Sequence, residues 1–428
     1  MIPDPDGYIG TLLAIEGVSD ARTILNSPSA ACRAYPMHFM RLHNPRETTR
    51  KRRSTDVQFF FGQSRMPCTY LDSDDYIFGS TQKLQKVLSM VAGDGDALLA
   101  VVNSPGASLI GDDLQRFLVE AHLDHICMIF ESAAYSRPFP EGFDEATVSI
   151  LRWLRLNRLP RLKKRVNLLG FSMIQKHWQG NIAELRHLCD LMGLTVVAVP
   201  GGGSSVSELR ESTTASCNIV VFPEYSHKTA QFYKTEFGIP IVYSPDGAPV
   251  GFTATEAWIQ TVASATGCDP APALAEIKRL RTHAYRQIAL SHQDAGYPKG
   301  ATFAIRGDSS FIYPLSHWLF EYLGMIPVSV EIMPSADPET SRRFENFLAA
   351  NNLPNALNAD PAVVNPDFYF GVGLAGKDLE LSGKCRTSIE LFNRVTSDVH
   401  FTQMAYLGGQ GALWILELIF NAVKGFPE

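Results

Sequence analysis

The chain has 428 residues, 45% of them hydrophobic, and a formal net charge of −6; that length gives room for about two to four units with their own cores, and that charge excludes bulk nucleic-acid binding. No run of about 18 apolar residues occurs, so no membrane span is expected, and residues 1–7 lack the basic and apolar stretches of a signal peptide. Seven cysteines without a secretory signal do not read as a disulfide framework; the expectation is a cytoplasmic protein with free or metal-bound thiols.

In chain order, Cys32 is the first distinctive residue, closing the proline-containing loop 26–32. A basic run follows at Arg46, Arg50, Lys51, Arg52 and Arg53. Its plain reading is a solvated loop; the sharper one is a docking patch for an acidic protein or a carboxylated ligand. Cys68 comes directly after Pro67. A thiol on such a loop can approach a metal or a redox partner without obstruction. Residues 97–102 are a short apolar run, followed by a Gly/Pro/Ser loop and a helix expected from about Asp112. Residues 125–130 are a second such run, containing Cys127 as a core thiol.

A fresh unit begins at residues 165–170 and continues through runs 195–200 and 218–223. A third begins at 301–308. Both later units place a glycine, Gly193 or Gly324, where a helix should end before the next strand. Apolar runs separated by helices imply βαβ crossovers and buried parallel sheets. The expected fold is α/β, with three doubly wound Rossmann-like domains around a central cavity, over residues 1–164, 165–285 and 286–428. Ligands of such sheets sit at the carboxyl ends of the strands.

Nucleotide and zinc signatures are missing. Gly201-Gly202-Gly203-Ser204-Ser205 has no following Gly-Lys-Ser/Thr, so a loop with Ser205 or Ser207 capping a helix is the stronger reading. No HExxH or CxxC occurs. Cys32 and Cys68 alone are half a metal site or two free thiols. A two-fold dimer would bring four thiolates together on its axis.

The residues around Cys68 resemble the nitrogenase component 1 superfamily. Cys68, Thr69, Leu71, Asp75, Ile77, Phe78, Gly79, Lys83 and Leu84 are spaced like that family's second cluster-cysteine motif. Ile110-Gly111-Asp112-Asp113 resembles its IGDD turn, Phe237-Gly238-Ile239-Pro240 its "yGiP" and Gly408-Gly409-Gln410-Gly411 its closing glycine turn. The first cluster cysteine survives as Cys32 without its usual His-Gly, and the third is replaced by the stretch Ser104-Pro105-Gly106. Phe222 and Leu407 stand where dinitrogenase has its cofactor ligands, so no molybdenum–iron cofactor is expected.

The resemblance implies a [4Fe-4S] cluster held by Cys32 and Cys68 and shared across a dimer interface, in a homodimer or in a heterodimer with a paralogous subunit. It implies a partner, an iron-protein-like reductase that hydrolyses ATP, and a small-molecule substrate other than dinitrogen, such as a tetrapyrrole. Glu131, Glu224, His227 and Asp308, at expected strand ends, are the proton-donor candidates; the plain reading of each is a helix cap or a surface contact. The alternative function is a cofactor-assembly scaffold without turnover, and the blandest is a paralogue that serves only subunit interaction.

Overall fold

The computed structural model describes residues 5–39, 66–92, 95–131, 136–295, 298–392 and 402–423. The basic run from Arg46 to Arg53 lies outside them. Among the described residues, eleven strands form three wholly parallel sheets. The first sheet contains β1 (Ala21–Asn26), β2 (Leu98–Asn103) and β3 (Cys127–Phe130), in that order. The second contains β4 (Arg165–Leu169), β5 (Thr195–Val196), β6 (Cys217–Val220) and β7 (Ile241–Tyr243), ordered β5-β4-β6-β7. The third contains β8 (Thr302–Gly307), β9 (Ile326–Ile332), β10 (Phe368–Val372) and β11 (Thr387–Phe392), ordered β11-β10-β8-β9.

The parallel α/β class expected from the alternating runs is borne out. The second and third sheets share one topology, in which the chain reverses direction between the first and third strands of each. The first sheet runs in chain order without a reversal. Element limits differ slightly from expectation. In the run 195–200 the regular strand ends at Val196, although Val197 N still donates to Val166 O (2.8 Å) and Leu168 N to Ala198 O (3.1 Å), and the helix expected from Asp112 starts at Leu114, capped by Asp113.

The chain divides into two compact units, Ile2–Arg158 with Val199–Glu211, and Leu159–Ala198 with Ser212–Glu428. In the first, β1 and β2 are buried along their whole length, as a parallel sheet covered on both faces requires. Helices Thr81–Val91 and Leu114–Glu120 supply Leu84, Leu88, Val91, Leu114 and Leu118 to a core with Ile24, Val101 and Cys127. Burial pushes the Cys127 thiol up to about 12, the mark of an inert core thiol. In the second unit, Gly193 and Gly324 adopt positive φ at the helix ends, as expected. Among the described residues no helix is long and apolar enough to cross a membrane.

Candidate functional site

The two thiols meet at the carboxyl end of β1. The segment after Pro67 joins the sheet there: Leu25 N donates to Pro67 O (2.8 Å), Thr69 N to Leu25 O (3.0 Å) and Leu71 N to Ser27 O (2.9 Å). Cys32 sits in the first turn of helix Ser29–Phe39, its N–H bonded to Pro28 O. Its thiol donates to Ser27 O at 3.2 Å. The Cys68 thiol lies 3.2 Å from Met66 O and 3.6 Å from Cys32 O. Both side chains are buried, at 0% and 8% exposure.

The two free thiols also influence each other. The Cys68 S–H holds Cys32 below the ordinary thiol range, while the Cys32 thiol and burial hold Cys68 well above it. Of the two, Cys32 is therefore the readier to lose its proton and act as a soft ligand. Ser27 carries a buried hydroxyl with no hydrogen-bond partner among the described residues. No third His, Cys, Asp or Glu joins the pair among those residues. The donor set fits half of an iron–sulfur cubane, which takes about four thiolates.

Where a third cysteine would be expected, the space is taken. Ser104 caps the short helix Pro105–Ser108 through the N–H of Ala107. The Tyr76 hydroxyl is 2.9 Å from where a Cβ on Gly106 would lie, and it bonds to the Ser104 side chain. Sequence reasoning passes over Tyr76. Its only local signal is an aromatic residue in an otherwise acidic turn.

The Cys68 loop continues into the six-residue helix Ser73–Phe78. Asp72 and Asp75 close a capping box around its first turn, and Lys83 ties both carboxylates to the carbonyl of Tyr70 (3.1 Å). Its far end leaves Ile77 and Phe78 71% and 83% exposed. A side chain at Gly79 would meet Asp112 Oδ1 at 2.7 Å, and its φ of +100° favours glycine.

In the other unit, carboxylates from the chain itself cover two helix starts. Glu224 Oε1 accepts from Ser309 Oγ (2.8 Å) and Ser310 N (2.9 Å), and Oε2 from Ser310 Oγ (2.6 Å). Glu224 therefore caps helix Ser309–Leu323 from a different sheet. Tyr225 donates to Asp308 Oδ2 at 2.8 Å, and Asp308 Oδ1 has no partner among the described residues. Burial raises both carboxyls, and the Glu224 charge raises Asp308 further. Glu390 lies against Gly373, the first residue of helix Gly373–Leu381, and pairs with Lys176.

The structure thus brings Glu224 and Asp308 together, within a cap. His227 is exposed at the start of helix His227–Phe232. Glu131, in the first unit, is exposed, its carbonyl bonded by Ser108. The glycine loop holds no space for a phosphate on its inner side. A Cβ at Gly201 would lie 2.4 Å from the Phe143 ring, and Gly203 N bonds to Gly17 O. Ser205 is the helix cap, exchanging bonds with Glu208.

A buried thiol pair therefore sits at a strand end of a parallel α/β chain. The chain belongs to the nitrogenase component 1 type oxidoreductase family, whose model matches residues 7–424. It is 32% identical over 181 residues to a subunit of the light-independent protochlorophyllide reductase of Methylobacterium sp. (strain 4-46), covering 41% of this chain and 34% of that one. It is 27% identical over 242 residues to the same subunit of the Parasynechococcus marenigrum (strain WH8102) enzyme, covering 54% and 45%. The matches therefore span less than half the length of these curated relatives. A solved structure of nitrogenase Cp1 at pH 6.5 superposes with a TM-score of 0.75 at 16% identity, over 97% of this chain and 91% of that one; this likeness is one of fold.

Proposed function

We propose that this chain is the catalytic component of a nitrogenase-like reductase. It would receive electrons from a separate, ATP-hydrolysing iron-protein-like reductase and deliver them to an organic substrate of the tetrapyrrole class. The observation that carries the reading is the Cys32–Cys68 pair, buried side by side with the Cys68 thiol 3.6 Å from Cys32 O, at a strand end of this family's fold. The matched curated relatives are subunits of a protochlorophyllide reductase, which supports a macrocyclic substrate.

Cys32 and Cys68 would hold half of a [4Fe-4S] cluster, with the other half on a second copy of the chain or a paralogous subunit. When bound, the cluster supplies one-electron transfer. The protein's part is to bury the thiols, keep water from them and present the exposed Ile77 and Phe78 surface to a partner. Glu224 and Asp308, whose carboxyls burial shifts toward the protonated form, are the proposed proton holders, with exposed His227 and Glu131 as surface donors. The proposed domain limits remain 1–164, 165–285 and 286–428, and the proposed location is the cytoplasm.

Anaerobic reconstitution with iron and sulfide tests the reading. About four irons per pair of chains, with a cubane EPR signal on reduction and loss of both in Cys68→Ala, is the expected result. Protein that stays iron-free overturns it. A loaded protein that reduces no macrocycle when given an iron protein and ATP would instead be a scaffold.

A further inference from the structure

Behind the thiols runs a chain of buried hydrogen bonds that the metal reading does not use. Ser27 N donates to Thr69 Oγ1 at 3.0 Å, and Thr69 Oγ1 donates to Asn26 Oδ1 at 3.0 Å. The other end of the same amide, Asn26 Nδ2, donates to Ser80 Oγ at 3.2 Å and to Asn103 Oδ1 at 2.9 Å. Ser80 Oγ and Ser80 N both donate to Asp112 Oδ2, at 2.7 and 2.6 Å. Successive donors point toward the Asp112 carboxylate, so each bond polarises the next. Asn26, Ser27, Thr69, Ser80 and Asn103 are all at most 5% exposed.

The chain touches both thiol loops. Thr69 follows Cys68 directly, and Ser27 offers its carbonyl to the Cys32 thiol. Its far end is Asp112, in the Ile110–Asp113 turn. Thr69 and Gly79 both belong to the Cys68 motif, Ser80 follows it in sequence, and Gly79 is the residue that lets Asp112 approach.

The geometry points to Asn26, Thr69, Ser80 and Asp112 as positioning residues that hold the Cys32 and Cys68 loops at one fixed separation. Asp112 anchors the arrangement, Asn26 transmits it across the β1–β2 edge, and Thr69 with Ser27 sets the two loops against each other. Without these bonds, the sheet still pairs through Leu25, Pro67 and Leu71, but the thiols lose their common reference. This inference concerns the same site as the proposed function and rests on that reading only for the purpose of the pair.

Phenylarsine oxide tests it on the reduced, iron-free protein. The arsenical forms two As–S bonds with a close pair of thiols and releases one water, so its capture reads their separation without a cluster or a substrate. Wild type is expected to take up one arsenical that Cys68→Ala does not. Thr69→Val and Ser80→Ala should weaken capture about fivefold, the net size of one hydrogen bond, and Thr69→Ser and Ser80→Thr should restore it. Asn167→Ala removes the corresponding buried amide pair with Asn218 in the other unit; it should lower stability without changing capture. Asp112→Asn, at a half-buried position, carries the test if a buried variant does not fold. Unchanged capture in Ser80→Ala or Asp112→Asn, or equal weakening in Asn167→Ala, overturns the inference. Iron content reports separately on the cluster reading.

Discussion

Lys176 Nζ and Glu390 Oε2 meet at 2.6 Å although 214 residues separate them in the chain. Their side chains are 5% and 2% exposed. The pair joins the loop after β4 to β11, and the Gln175–Phe392 bridge and the bond from Lys176 N to Leu391 O accompany it. The carboxyl ends of the second and third sheets are thus tied together by charge as well as by backbone.

Removing one partner should therefore be severe. Lys176→Met leaves Glu390 buried without its cation, and the expected loss is about 3–5 kcal/mol. Lys176→Met with Glu390→Leu should recover most of it, because neither charge is then buried. Urea denaturation of the two variants checks this; equal losses in both would refute it.

The carboxyl pair Asp308 and Glu224 sets a pH dependence. Both are raised by burial, so the folded state keeps protons that the unfolded chain releases above about pH 4. Their contribution is fully present below that value and is lost as pH rises through the raised folded-state values. Asp308→Asn should flatten this decline while keeping an acceptor for Tyr225. Denaturation midpoints measured from about pH 4 upward would show an unchanged slope if the idea is wrong.

Phe78 should matter to association and little to folding. Its ring is 83% exposed on the helix that follows Cys68, so Phe78→Asp should change stability by less than about 0.5 kcal/mol. Association with a second chain or with an iron protein should weaken at least about tenfold, as for an aromatic anchor at an interface. Sedimentation and pull-down measure the two effects; a lower melting temperature with intact association would point to a packing role.

Ser205→Ala should cost about 1 kcal/mol through loss of the cap on helix Val206–Glu211. Inorganic phosphate should not stabilise either form, since Phe143 and Gly17 already fill the inner side of the glycine loop. A phosphate-dependent rise in melting temperature would make that loop a ligand site after all.

Local patterns were legible where they carried their own chemistry. The spacing around Cys68 and the thiol at Cys32 pointed to two loops that the fold does place together. Gly193 and Gly324 marked helix ends because only a positive φ closes those turns. Strand β1 was hidden by Arg22, Thr23 and Asn26, which look solvent-facing. Each is nevertheless buried: Arg22 pairs with Asp96 and Asn26 bonds to Asn103, while Thr23 reaches Glu16 only through its N–H and its hydroxyl has no hydrogen-bond partner among the described residues. The role of Glu224 as a cap was open in the same way, because its serine partners lie 85 and 86 residues further on. Tyr76 fills its place beside Ser104 through tertiary packing, which no spacing encodes.

The pairing of residues 67–71 with the end of β1 brings together two thiols that are made at different times. Cys32 is synthesised 36 residues before Cys68, so a chain still emerging from the ribosome first carries a lone thiol. An oxidant that arrives in that interval meets one target, and one that arrives later meets two.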